Sequence, residues 1–353
     1  GLTPEYAAEL EAAFEEAHPD IDLKILSTPW NLVHDKLITA LAADQAPDLA
    51  VIPTRWILEF MDMGVVEPIE QYLSEELMSN IPESIMEGKI NNVLYGLPVA
   101  IGPRIMFYRP DLIETPPETF EEMLAIAKEV HSEDVYGISF SGRKHAELTD
   151  FAYYLYGFGG DFFEMTPEGA YGKSVVNSEA GVKALDFMYQ LTNVEKVTQP
   201  SFNADERSEA LEIFIAGKAA MMMTGGFLAA RLDQAGVEFD WAPALIPYAE
   251  GASRAPLFVT DVITMFNTSD HKEEAAKFLE FFYQDAWRLG FDKLVGFPPV
   301  TKSLGSHEFF QTPVYQAMVN SMEGSKPWPL MSEWPECTEH IWNAVTAVLL
   351  GEK

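Results

Sequence analysis

Cysteine is almost missing from this chain of 353 residues: Cys337 stands alone, so no disulfide can form within it. Basic residues are scarce as well, 23 Lys and Arg against 55 Asp and Glu, for a formal net charge of −32. A surface of that sign repels phosphate backbones and anionic lipids, which excludes nucleic acid as a partner. No run of 18 apolar residues occurs, so no segment reads as a membrane-spanning helix. No signal-peptide pattern is visible, and repeats, low-complexity tracts and polar linkers are lacking too. The acids are scattered over many segments and read as a solvating surface. Attraction of a cationic ligand is the competing reading.

Catalytic signatures are also lacking. His307-Glu308-Phe309-Phe310-Gln311 has no second histidine at the fifth position of the zinc-protease pattern. Gly157-Phe158-Gly159-Gly160-Asp161-Phe162 misses the last glycine of a dinucleotide fingerprint. There is no G-x-S-x-G elbow, P-loop or C-x-x-C, and the seven histidines are dispersed. We therefore expect no catalytic residue, no metal and no cofactor. A carboxylate pair of the glycosidase kind is the one enzymatic pattern that so acidic a chain leaves open.

Apolar residues at 48% and aromatics at 12% are enough for a large core, and the length allows two domains. Residues 92–124 are the most informative stretch. Val93 to Tyr95 reads as a short strand stopped by Gly96 and Pro98, and Ile105 to Tyr108 as a second strand stopped by Pro110. After the stiff Pro116-Pro117 corner, Thr119 and Glu122 have the spacing of a capping box. Phe120, Met123, Leu124, Ala127 and Val130 then recur at helical spacing.

Elsewhere, Thr3-Pro4 opens a helix striped by Leu10, Phe14 and Ala17, and Ile21, Leu23 and Ile25 alternate as a strand. Leu49 to Ile52, after Pro47-Asp48, is the continuously apolar kind of strand that is buried in parallel sheets. The helix from Asn177 carries Val182, Leu185 and Tyr189 as its apolar stripe. Gly217 ends a helix, Ala219 to Met223 reads as a buried strand, and Gly225-Gly226 lets backbone approach a neighbour closely, with Phe227 opening the next helix. Strand–helix alternation along the chain predicts α/β with mostly parallel sheets.

Tyr95-Gly96-Leu97-Pro98-Val99, the strand ending Tyr108-Arg109-Pro110-Asp111-Leu112 and the Pro-Pro-x-Thr-Phe-x-Glu helix start together resemble the extracellular solute-binding proteins of ABC importers. The likeness is to the carbohydrate-type group that includes the maltodextrin-binding proteins. Arg109-Pro110 stands where that family usually has asparagine-lysine. Asn177-Ser178-Glu179-Ala180, Phe214-Ile215-Ala216-Gly217-Lys218-Ala219-Ala220-Met221 with Gly225-Gly226-Phe227, and Gly296-Phe297-Pro298-Pro299 follow in the family's order. Family members carry one more strand ahead of the first helix than these residues show.

The resemblance implies a two-lobe periplasmic-binding-protein-like fold whose helix-flanked lobes close like a hinge on a ligand in the cleft between them. One lobe is expected from 1–108 plus 259–302 and the other from 109–258 plus 303–353. It further implies a receptor that captures a carbohydrate, an oligosaccharide above all, and delivers it to the transmembrane subunits of an ABC permease. Such a receptor is a monomer outside the cytoplasmic membrane, periplasmic or extracellular, lipid-anchored in some forms. A polyamine or other small cation is the alternative ligand, and a secreted glycan-active enzyme the alternative function. Sugar recognition needs aromatic faces for C–H surfaces and charged or amide groups for hydroxyls. On that basis the expected ligand contacts are Trp30, Arg55, Trp56, Gly102, Arg104, Tyr108, Gly225, Gly226, Phe227, Asp261, Phe297 and Trp334, most of them in loops at strand ends.

Overall fold

The computed structural model describes residues 2–143, 148–167 and 170–352. Helix α1 (Pro4–Ala17) starts where the Thr3 side chain accepts the Tyr6 amide and Pro4 presets the first turn, and it buries Leu10 and Phe14. Helix α2 (Val33–Ala42) leads to strand β1 (Leu49–Pro53), a single turn at Thr54–Trp56 and α3 (Ile57–Asp62). Helix α4 (Glu75–Asn80) precedes the small hairpin of β2 (Lys89–Ile90) and β3 (Val93–Leu94). Then come β4 (Gly96–Pro103), β5 (Ile105–Tyr108), α5 (Phe120–Val130) and β6 (Tyr136–Ser139). The capping box of Thr119 and Glu122 is formed, and α5 buries Phe120, Met123 and Ala127 as their spacing requires.

Helix α6 (Thr149–Gly157), the hairpin of β7 (Phe163–Met165) and β8 (Tyr171–Ser174), α7 (Glu179–Tyr189) and α8 (Arg207–Ile215) follow. Strand β9 (Ala219–Thr224) is buried along its whole length and runs through Gly225-Gly226 into α9 (Phe227–Ala235). The remaining elements are β10 (Ala242–Ala244), β11 (Leu257–Met265), α10 (Lys272–Phe282), α11 (Asp285–Val295), α12 (Pro313–Asn320), β12 (Lys326–Pro327) and α13 (Trp334–Leu349).

The chain divides into two units. Unit 1 comprises residues 1–101 and 260–311. In it β1 lies antiparallel to β11, from Leu49 opposite Met265 to Pro53 opposite Asp261. Its core joins Leu37 and Leu41 of α2 to Ile52, Trp56, Phe60, Val262 and Phe266. Unit 2 comprises residues 102–259 and 312–353, and its sheet has the order β10-β5-β9-β6. A core rich in aromatics, including Phe120, Phe151, Tyr154, Phe162, Phe187, Trp334 and Trp342, packs against that sheet.

These bounds move the expected lobe boundaries. Residues 102–108 belong to unit 2, because β5 is hydrogen-bonded on its two sides to β9 and β10. Val259 packs in the unit 2 core. Residues 303–311 stay in unit 1, where the Ser303 hydroxyl donates to Asp285 and its amide to Asn80.

Four further expectations change. The sheets are not mostly parallel: β6–β9 and β11–β12 are parallel, while β1–β11, β5–β9, β5–β10 and both hairpins are antiparallel. Ile21 to Ile25 is not a strand. The amides of Leu23 and Ile25 donate instead to the carboxylates of Glu15 and Glu11 on α1, which replaces ladder bonds with side-chain bonds. β3 does end at Leu94, just ahead of Gly96, but Gly96 and Pro98 then lie within a further strand, β4. Gly96 is there because β4 passes so close to β11 that a Cβ would overlap Val262. The buried face of α7 is also rotated from the expected stripe, with Gly181, Ala184, Phe187 and Met188 inward and Val182 exposed.

Candidate functional site

Each unit carries an arginine laid over an aromatic ring just after a strand. In unit 1, β1 ends at Pro53 and the chain tightens into one turn, which buries Thr54, Arg55 and Trp56. The Arg55 guanidinium carbon lies 5.7 Å from the Trp56 ring centre. Trp30, from the single turn before α2, stands 6.4 Å from Trp56 with the two planes 16° apart. Trp30 is 37% exposed and Trp56 6%, so the pair offers one open aromatic face backed by a buried one. His34 meets the Trp56 edge at 4.7 Å and bonds Glu59 at 2.9 Å, and that carboxylate raises the imidazole pKa.

Polar groups line the same strand end. The Thr54 hydroxyl donates to the Thr260 carbonyl at 3.1 Å, and the Thr260 hydroxyl donates to Glu87 at 2.8 Å. Burial pushes the Glu87 carboxyl above its usual range, against the lowering effect of that hydroxyl. Asp261, half-buried, sits opposite Pro53 in the register of β1 and β11, two residues before Arg55. Phe297 is half-buried in the loop after α11, also in unit 1.

In unit 2 the matching group is Arg104, Gly225 and Phe227. Arg104 follows β4, is 4% exposed, and its amide donates to the Leu257 carbonyl at 2.8 Å. Its guanidinium carbon lies 5.6 Å from the Phe227 ring centre. Gly225 makes that stack possible, since a Cβ there would overlap both Arg104 Nη1 and the Phe227 ring. Gly225 and Gly226 are buried, and Phe227 opens α9 half-exposed. Gly102 is buried near the end of β4.

Sequence reasoning missed Asp150, on the first turn of α6. Burial pushes its carboxyl up to about 7, although a hydrogen bond from the Ser141 amide and the charges of Arg207 and Arg104 pull it down. The charge of Arg104 thus acts on Asp150, which associates this carboxyl with the group. Its only signal in the sequence was its place at a helix start.

Two expected contacts lie elsewhere. Trp334 is not in a loop: it opens α13 at 1% exposure, its ring 5.0 Å from Phe162 and 5.6 Å from Trp328. Its bulk fills the unit 2 core. Tyr108 on β5 packs partly buried against that core as well. Arg109, at the position where the resembled family has asparagine, donates to the Gly217 carbonyl at 2.5 Å and to both Asp111 oxygens, and it covers the Phe239 ring. Among the described residues no cluster of three or more His, Cys, Asp or Glu could hold a metal. No helix among them is long and apolar enough to cross a membrane.

Residues 1–288 match the family described as bacterial extracellular solute-binding protein. A putative binding protein of Brucella abortus is 28% identical over 99% of this chain and 86% of its own length. The galactooligosaccharide-binding protein of Bacillus subtilis is 23% identical over 97% of this chain and 81% of its own. Among solved structures, the maltose-bound MalE3 of T. maritima superposes with a TM-score of 0.87 at 24% identity, covering 99% of this chain and 92% of that one. That likeness bears out the two-lobe α/β fold class.

Proposed function

Because the chain belongs to the bacterial extracellular solute-binding protein family, we propose that it is the substrate-binding component of an ABC importer and that its ligand is a carbohydrate. The observation that carries the ligand class is the repeated pairing of a buried arginine with an aromatic face, Arg55 with Trp56 and Trp30, and Arg104 with Phe227. An aromatic face takes the C–H side of a pyranose, and a guanidinium fork takes a pair of neighbouring hydroxyls. A polyamine site would put carboxylates alone around the aromatics, and here arginines hold those places. The names of the relatives point the same way, toward oligosaccharide and maltose.

On this reading the ligand-contact residues are Trp30, Arg55, Trp56, Asp261, Arg104, Gly225 and Phe227, with Asp150 acting on Arg104 through its charge. Gly102, Gly226, Tyr108 and Phe297 shape the surroundings. Binding needs no covalent step, metal or cofactor. The protein acts as a monomer outside the cytoplasmic membrane and passes its ligand to the transmembrane subunits of the importer.

Calorimetric and thermal-shift titration with maltose, maltotriose, galacto-oligosaccharides, uronates, putrescine and spermidine tests this reading. At about 100 times its Kd a ligand specific to the folded state adds roughly 2.7 kcal/mol, which is readily seen as a shift in Tm. A sugar should bind and be recovered unchanged. Shifts with the polyamines alone would overturn the carbohydrate assignment, and cleavage of the sugar would overturn the receptor.

A further inference from the structure

Unit 1 buries an ion pair that no proposed ligand contact uses. Arg288 and Asp292 stand one turn apart on α11, both 0% exposed, with Nη2 and Oδ1 2.5 Å apart. The rings of Phe282, Tyr283 and Phe291 cage the guanidinium at 5.1, 5.3 and 4.8 Å. Charges taken this far from water cost about as much as their attraction returns, and an apolar side chain of similar volume often serves stability as well. The pair is also incompletely satisfied. Arg288 Nε and Nη1 and Asp292 Oδ2 have no hydrogen-bond partner among the described residues.

The cluster does reach main chain. Arg288 Nη2 donates to the Val99 carbonyl at 2.9 Å, and the Tyr283 hydroxyl donates to the Pro98 carbonyl at 2.8 Å. Both carbonyls belong to β4, just before Ile101, where this strand leaves unit 1. Pro98 brings no N–H to the ladder, so the strand is poor in its own hydrogen bonds at the point that the cluster holds. Tyr6 of α1 closes the cluster, with its hydroxyl on the Trp287 carbonyl at 2.6 Å.

We propose that Arg288, Asp292 and Tyr283 form a positioning clamp on β4, which fixes the strand where the chain leaves unit 1 and so sets the placement of Gly102 and Arg104. Asp292 aims the guanidinium, while Arg288 and Tyr283 grip two successive carbonyls. The strand cannot slide or roll about Pro98 without losing both bonds. The effect on ligand affinity rests on the carbohydrate reading, whereas the clamp itself does not.

Hydrogen–deuterium exchange of the full chain tests the clamp in the wild type, Tyr283→Phe, Arg288→Met and Asp292→Asn. Tyr283→Phe removes one hydroxyl and keeps the cage, so it is the variant that keeps the test valid if the charge variants fold poorly. Exchange across residues 97–104 should rise about tenfold, the factor that one lost hydrogen bond is worth, with α2 and α4 unchanged. Arg288→Lys, which keeps the charge but not the fork, should recover part of the protection. Wild-type protection of β4 in Tyr283→Phe and Arg288→Met would overturn the clamp. So would a loss spread evenly through unit 1, the mark of a pair that merely stabilises. In titrations with maltotriose, the variants that loosen β4 should bind several-fold more weakly; undiminished affinity would overturn the placement of Gly102 and Arg104. If neither maltotriose nor another sugar binds the wild type, the carbohydrate reading fails and the exchange data alone decide the clamp.

Discussion

Gly225 concentrates the argument at the scale of single residues. It has no side chain, yet it is what lets the Arg104 guanidinium lie over Phe227. Gly225→Ala should therefore weaken carbohydrate binding by roughly tenfold, about 1.4 kcal/mol, while shifting Tm by only a few degrees. Calorimetry on the variant checks this, and wild-type affinity would separate the Arg104–Phe227 stack from the ligand. Trp334 makes the opposite case. Trp334→Phe should cost stability and leave affinity per folded molecule unchanged, because its 1% exposed ring is core; Trp334→Ala should cost about 3–5 kcal/mol in urea unfolding. Arg55, Arg104 and Phe227 were conspicuous as candidates in the sequence, because arginine is rare in so acidic a chain and Gly-Gly-Phe follows a buried strand. Asp150 was not. One carboxylate among 55 acidic residues looks like any other until the fold sets Arg104 and Arg207 beside it.

Local chemistry made some elements readable and tertiary partners overrode it in others. The capping box of α5 is written in four residues, and the helix forms where they say. Thr119→Ala should remove about 1 kcal/mol, read as a lower urea midpoint with an unchanged slope. Ile21 to Ile25 has the alternation of a strand, but alternation shows only which side chains face inward. Whether a ladder forms depends on a neighbouring strand, and here Glu11 and Glu15 take the amides instead. The same limit applies to β4: Pro98 looks like a stop until Tyr283 supplies an outside partner for its carbonyl. On α7, Val182 and Leu185 fit the period, but small residues such as Gly181 and Ala184 face inward, where neighbouring α6 needs close approach.

At the scale of the whole chain, the order of motifs announced two units, and pairing partners, which no local pattern encodes, moved the boundaries. The net charge of −32 bears on something else, the response to pH. Asp150 and Asp292 are both pushed up to about 7 by burial, Asp292 in spite of Arg288. A carboxyl whose folded pKa is raised takes up its proton in the folded state first. Stability therefore falls as pH rises from its unfolded value near 4 toward 7. His34, raised by Glu59, acts in the same direction: its contribution is complete below the unfolded value near 6.5 and lost as pH rises through the folded one. Asp111, held low by Arg109, opposes them only at more acidic pH. Repulsion among 55 acids also eases as pH falls. Apart from Asp111, whose effect lies at more acidic pH, these effects favour pH 5.5 over pH 8. A net gain of about 2 kcal/mol should raise the Tm of a 353-residue chain by roughly 3 °C at matched ionic strength. Added salt at pH 8 should recover the part due to surface repulsion but not the part due to the buried carboxyls. Calorimetric scans of the wild type and Asp292→Asn separate the two, since the variant should lose part of the pH dependence and keep the salt response. A wild-type Tm no higher at pH 5.5 than at pH 8 would overturn the expected pH dependence.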